Sequence, residues 1–582
     1  NYSLPGWLTS PNKKAMAAAG FILLVIIGAL VAVTFALGRE KTARATARRE
    51  SLVANYNLAK ARAEAADQQR LDFKFASAAG LAADSLKFNP AHPKSPFFDA
   101  EFAAAHPDAQ TLLVRAASSV YQTRGQSLAD LATAFKADEV LTQVAFSPDG
   151  ARVAVGSYDG KVRVYSSAAR ELWKTLDGHR GERVYSLAYS PDGRLLAFAS
   201  SVYPEAAAAG KVKARLFDTL LVRHWNAWSD GTRSHVFVVP AAGGPAVDLT
   251  PGDFDTPPIA LGGSQDYVFS PDGKEIAFVR NIDPELKKGL GTNNDVFVVP
   301  SAGGEIRRIT TNKANDHSPL YSPDGRYLAY LAMARPGFEA DKQSLMIYDR
   351  TAGTTVNLTE ALDRSVGEML WTPDSAALYF VCDDWGRKAV FRAALDGRKV
   401  ERVLEGHNLS SLQLTPDGTT FVFARQAMNQ PADVFTCRLA DKTLSRVTDI
   451  NRDLLAGLDM NPAEEITFLG AGDEPVHGWL LKPPAFDASK KYPLVMLIHG
   501  GPQGAWTDEF HFRWNAQLFA APGYVVAMIN FHGSTGYGQA FTDSISGDWG
   551  GKPYTDIAKG MGYIHGRYPF IDISRNAAAE ST

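Results

Sequence analysis

The chain has 582 residues, of which 45% are hydrophobic and 21% charged, with 60 Lys and Arg set against 63 Asp and Glu. That length excludes a single small domain, and the composition excludes a disordered or collagen-like chain. A formal charge of -3 offers no basic footprint for gripping a phosphate backbone, so nucleic acid is not an expected partner.

After a tail over residues 1–14, the stretch Ala15 to Gly38 runs 24 residues without a charge. At 1.5 Å per residue it is long enough to cross a hydrocarbon core of about 30 Å, which predicts a transmembrane helix over 15–38. A cleaved signal peptide is the competing reading, because Lys13 and Lys14 precede the segment. Those two lysines, against Arg39, Lys41, Arg44, Arg48 and Arg49 beyond it, place the body in the cytoplasm by the positive-inside count, with the periplasm as the alternative. Residues 39–90, rich in Ala, Arg, Glu, Lys and Gln, predict a juxtamembrane helical segment, and Pro93, Pro96 and Pro107 mark a linker over 91–137.

From 138 to 460 one turn signature recurs: Ser147-Pro148-Asp149-Gly150, Ser190-Pro191-Asp192-Gly193, Ser270-Pro271-Asp272-Gly273 and Ser322-Pro323-Asp324-Gly325, then the variants Thr372-Pro373-Asp374-Ser375 and Thr415-Pro416-Asp417-Gly418. Pro presets φ, Asp caps the turn and Gly accepts the left-handed conformation, so each copy should reverse the chain between two strands. The spacings of 43, 80, 52, 50 and 43 residues fit four-stranded propeller blades with an insertion after the second. The expectation is a β-propeller of six or seven blades, closure drawing on residues 108–140 or on the stretch after Val447. Cys382 and Cys437 lie in strand-like apolar stretches and read as core filling. The early copies, with Gly156 to Tyr165 and Gly178-His179, resemble WD40 repeats, and the later ones resemble the TolB-like propeller repeat.

Beyond 461 the pattern changes. Strand-like Ile466-Thr467-Phe468, Val476 to Leu481 and Tyr492 to Ile498 alternate with helical stretches, predicting a buried, mostly parallel sheet of α/β type. The third strand runs directly into His499-Gly500-Gly501-Pro502, whose glycine pair would let bare backbone N–H groups face a cavity.

The stretch Lys491 to Trp506, Asn530 to Gly538, Gly547 to Lys552 and Tyr568 to Asp572 resemble the prolyl oligopeptidase family of serine peptidases, nearest its dipeptidyl-peptidase and acylaminoacyl-peptidase branch. The resemblance extends back through the propeller to about Val212. It implies a propeller lying as a lid over an α/β-hydrolase domain, here its N-terminal part over 461–582, and release of dipeptides or acylated residues from short peptides through an acyl-enzyme. It assigns the Gly501 N–H to an oxyanion hole, with His499, Gly500 and Pro502 shaping the loop, and His499 orienting it rather than acting as a base. Glu205, in the insertion, is its candidate for holding a substrate amine. Many relatives carry Arg where His532 stands. Gly533, Gly536 and Gly538 read as backbone turns, not a phosphate loop.

Acyl transfer of this kind needs Gly-x-Ser-x-Gly, then Asp, then His. These 582 residues contain no such elbow, and Ser581 has neither flanking glycines nor a downstream Asp or His, so the Ser-Asp-His triad is missing. The expectation is a truncated, inactive peptidase. The alternative is a membrane-tethered propeller that binds proteins or peptides. The histidines show no metal-ligand spacing, and no cofactor is implied.

Overall fold

The computed structural model describes residues 141–581, apart from 168–170, 178–182, 203–216, 218–219, 225–226, 264, 285–288 and 398. The membrane segment at 15–38, the helical stretch at 39–90, the linker at 91–137, the Gly178-His179 pair and Glu205 lie outside the described residues.

All six turn signatures form the turns expected of them. In each, the Ser or Thr hydroxyl donates to the Asp carboxylate two residues on, at 2.5 to 2.7 Å. The residue at the Gly position closes the turn at φ 68° to 72°, and Ser375, its substitute in the fifth copy, is driven to φ 59°. The strands on either side pair antiparallel, as Phe269 does with Ile276 and Tyr321 with Leu328. Each turn therefore joins the first and second strands of one blade, and the blades number six among the described residues. The last two share a 15-residue strand, Val400–Leu414, whose first half closes blade five and whose second half opens blade six.

Two further repeats hold the blades together. A threonine 14 residues downstream accepts a hydrogen bond from the backbone of the third strand: Thr250 from Val236, Thr310 from Val296, Thr359 from Leu345 and Thr448 from Val434. Cross-strand phenylalanines stack at the same register, Phe198 on Phe237, Phe278 on Phe297 and Phe380 on Phe391, at 5.5 to 5.8 Å between ring centres. Such pairs join area burial to ring geometry and mark where neighbouring blades pack. Cys382 and Cys437 are buried within these layers.

The second sheet has the order Glu464–Leu469, Pro475–Leu481, Val525–Asn530, Tyr492–His499, Ile571–Ser581. Its first two junctions are antiparallel and its last two parallel, so the sheet is mixed rather than mostly parallel. The first of these follows from the short turn between Leu469 and Pro475, too brief for the crossover a parallel pair requires. Val525–Asn530 is buried along its whole length, while Ile571–Ser581 is an exposed edge. Lys552–Arg567, a 16-residue helix, packs Ile564 onto the core of this sheet.

The sheet domain is seated on blades four to six. Arg335 makes a bidentate ion pair with Asp543 at 2.8 and 2.9 Å, Asp363 accepts from the Gln539 N–H at 2.9 Å, and Asn408 donates to Thr507 at 3.1 Å. Gly536 approaches so closely that a Cβ would stand 3.3 Å from the Asp383 backbone, which explains a glycine there at φ 87°.

Candidate functional site

The loop His499-Gly500-Gly501-Pro502 leaves the C-terminal end of a buried strand, the usual place for a site in an α/β sheet. Gly501 has φ 126°, open only to glycine, and a Cβ would lie 3.1 Å from the Gln503 and Gly504 nitrogens. Gly501 is exposed, and among the described residues no acceptor bonds its N–H. Its donor is thus unused within the described residues.

His499 fixes that loop. Its Nδ1 lies 3.0 Å from the Gly500 carbonyl oxygen. Its Nε2 lies 2.9 Å from Ser534 Oγ, whose hydroxyl donates to the Phe531 carbonyl oxygen at 2.7 Å. The ring stacks on Phe531, with centres 4.2 Å apart, and burial pushes its pKa down to about 4. A neutral ring with both nitrogens engaged has no lone pair free to take a proton from a substrate. Thr535 N donates to Gly504 O at 2.9 Å, so the Gly533 to Gly538 stretch grips the loop at a second point.

His532 replaces an arginine expected from the resemblance with a different buried pair. Its Nδ1 donates to Asp556 Oδ2 at 2.6 Å, and the same oxygen accepts from the His532 backbone N–H at 2.7 Å. Asp556 Oδ1 accepts from Ala471 N at 2.7 Å, so one carboxylate on the Lys552–Arg567 helix ties together three parts of the domain. Both side chains are fully buried, and Glu474, 3.4 Å from His532 Nε2, faces the pair from the surface.

Beneath the loop lies a second buried network. Trp506 N donates to Asn530 Oδ1 at 2.7 Å, Trp506 O accepts from Asn530 Nδ2 at 3.0 Å and from Trp479 Nε1 at 2.9 Å, and Tyr537 bonds both Asn530 and His477 at 2.7 Å. Burial, with Arg387 nearby, pushes the His477 pKa down to about 4, and burial raises that of Tyr537.

The structure therefore joins His499, Gly500, Gly501, Pro502 and Ser534 in one place, while Glu205 lies outside the described residues. Gly533, Gly536 and Gly538, at φ 101°, 87° and 102°, are the backbone turns expected of them. Sequence reasoning missed Asp556, Asn530 and His477. Asn530 stood inside a recognised motif, but nothing in its neighbours distinguished a buried amide clamp from a loop residue.

Residues 510–579 match the sequence model of the prolyl oligopeptidase family, and residues 130–166 and 170–202 match the WD domain, G-beta repeat. The dipeptidyl-peptidase 5 of Schizosaccharomyces pombe is 31% identical over 385 residues, covering 63% of this chain and 55% of that protein. The dipeptidyl-peptidase 5 of Aspergillus fumigatus is 33% identical over 425 residues, covering 67% and 58%. The chain thus spans somewhat more than half the length of these curated relatives. In fold it is similar to the acylaminoacyl peptidase of Pyrococcus horikoshii, with a TM-score of 0.61 at 18% identity over 76% of this chain and 66% of that one. A puromycin-hydrolyzing peptidase of Mycobacterium tuberculosis gives a TM-score of 0.52 at 17% identity over 74% and 64%.

Proposed function

The chain belongs to the prolyl oligopeptidase family, and on that premise we propose that it supplies the lid and the oxyanion-binding half of a serine exopeptidase acting on short peptides. The observation that carries this reading is the Gly501 N–H, in an exposed residue and without an acceptor among the described residues, in a loop beside a buried, neutral His499 that contacts Gly500 and Ser534. A donor fixed before the reaction begins stabilises the charge that develops on a carbonyl oxygen without reorganisation at the moment of attack. The strand Ile571–Ser581 runs parallel to Tyr492–His499 and brings its end beside His499, the side of the loop from which a nucleophile would approach. Release of dipeptides or acylated residues is the finer reading, supported by the names of the relatives. An acylaminoacyl peptidase of this fold has been solved in complex with Z-Gly-Gly-Phe-chloromethyl ketone, and a peptide-like occupant suits the loop in this chain too.

These 582 residues contain no Gly-x-Ser-x-Gly elbow, and on this reading they do not form an acyl-enzyme by themselves. The test is twofold. A fluorophosphonate probe applied to the 582-residue chain should label nothing specifically, and specific labelling would overturn the missing nucleophile. Reading the coding sequence past Thr582 should then reveal Gly-x-Ser-x-Gly followed by Asp and His.

If nothing hydrolase-like follows, a propeller that binds proteins or peptides is the better reading, favoured by the WD-type match of blades one and two and by their exposed Tyr158, Tyr185 and Trp173. Anchorage through residues 15–38, with a cytoplasmic body, is proposed on the charge-free run and its flanking cations. Extraction of the full chain from membranes by alkaline carbonate would overturn it.

A further inference from the structure

The hairpin tip of blade five is built against its own backbone preference. Asp384 and Arg387 pair across a two-residue turn, Trp385-Gly386, and both turn residues have positive φ, 50° and 71°. That geometry ordinarily selects Asn-Gly, and a bulky side chain held there is strained. The strain places the indole against the sheet domain. Its ring meets Tyr537 at 5.2 Å and His477 at 6.2 Å, both edge to face, and the Trp385 backbone N–H donates to Gly536 O at 3.2 Å. Gly386 O accepts from Asp508 N at 2.8 Å, so one propeller hairpin holds two separate segments of the sheet domain.

Those segments converge on Asn530. Because Trp506 N can only donate, Asn530 Oδ1 must face it, and Asn530 Nδ2 therefore donates to Trp506 O and to the Tyr537 oxygen. Tyr537 in turn donates to His477 Nδ1. The proton of His477 then sits on Nε2, which is buried and has no partner among the described residues. Trp506 carries the connection onward, since Nε1 donates to Leu497 O at 3.1 Å and its ring stands edge to face with His499 at 6.3 Å.

We infer that the Trp385-Gly386 hairpin is a strut through which the propeller sets the position of the Gly500 to Trp506 loop, with Tyr537, Asn530 and His477 as positioning residues. A left-handed tryptophan and an orphaned buried N–H are both unfavourable by themselves and persist only because the seated arrangement fixes them together. The inference rests on the oxyanion reading of Gly501 for its meaning, but its test needs no turnover.

The test is hydrogen–deuterium exchange on the full 582-residue chain, following the amides of 499–507 and above all Trp506. Replacing Trp385→Ala should speed exchange at Trp506 about tenfold, the scale of losing one buried hydrogen bond. Trp385→Phe, which keeps a ring edge, should restore most of the protection. Arg335→Ala, which cuts the ion pair to Asp543 elsewhere in the same interface, should leave 499–507 unchanged. Unaltered exchange at Trp506 in a folded Trp385→Ala chain overturns the strut, and so does equal acceleration by Arg335→Ala, which would show a general loosening. Should Trp385→Ala fail to fold, Tyr537→Phe removes a single hydroxyl and should accelerate Trp506 alone; no change there overturns the inference. A failed search for the nucleophile would sink the peptidase reading and leave these exchange outcomes as they are.

Discussion

The propeller and the sheet domain are stabilised by different kinds of interaction. A blade is assembled from contacts close in sequence: a hydroxyl and a carboxylate two residues apart at each turn, and a threonine 14 residues from the N–H it accepts. The site in the sheet domain is assembled from contacts far apart in sequence. Asp556 reaches Ala471 across 85 residues, and Tyr537 reaches His477 across 60. The lesson is that damage to one blade turn should stay local, whereas damage to one buried polar group of the site should spread.

The largest expected effect separates the two by pH. His477 and His499 both have their pKa pushed by burial from an ordinary value near 6.5 down to about 4. The unfolded chain takes up protons first, so the stability they contribute is present above about 6.5 and is lost as pH falls towards 4, at roughly 3 kcal/mol for each. Asp316 in blade four behaves oppositely. Burial pushes its pKa up to about 6, so its contribution is present below the ordinary carboxylate value near 3.8 and fades as pH rises towards 6. Segment-resolved hydrogen exchange at pH 7 and pH 4.5 should show 477–537 loosening while 312–333 does not, and equal loosening would break the contrast.

Next in size is Asp556→Ala. It leaves the Ala471 and His532 backbone donors and the His532 ring without their acceptor, at roughly 3 to 5 kcal/mol, and urea unfolding should register it. A loss below 1 kcal/mol would mean that water replaces the carboxylate and that the site is less tightly tied than its geometry implies. Gly501→Ala comes third, at about 1 to 3 kcal/mol, because φ 126° is denied to a residue with a Cβ. The same melt should show it, with Trp506 fluorescence or exchange of its amide placing the disturbance at the loop. Smallest is Gly418→Ala in the sixth turn, at about 1 kcal/mol, since Ser375 already occupies φ 59° at the matching place in blade five. A loss as large as that from Asp556→Ala would contradict the local character of the blades.

Legibility followed the same division. The six turns, their spacing and the strands beside them could be read because Pro, Asp and Gly act on their own backbone neighbours. The His499 to Pro502 loop could be read because a glycine pair after a buried strand is a local event. The strand shared by blades five and six was not read, because the one mark of its changeover, Gly406 at φ 78°, does not by itself say that the two halves pair with different partners. The mixed sheet was missed because apolar runs record burial and not direction. Asp556 was missed because a lone carboxylate on a helix reads as solvated until its partners are known.

By itself the sequence determined the repeating blades, the strand leading into the Gly500-Gly501 turn, and the absence of a nucleophile elbow within these 582 residues, all properties carried by adjacent side chains and their own backbone. Only the tertiary structure decided that His499 is neutral and engaged at both nitrogens, that His532 takes Asp556 as its partner, and that a strained tryptophan of the propeller leans on the network below the loop. Those outcomes depend on which polar groups are removed from water together, and that is set when distant segments pack.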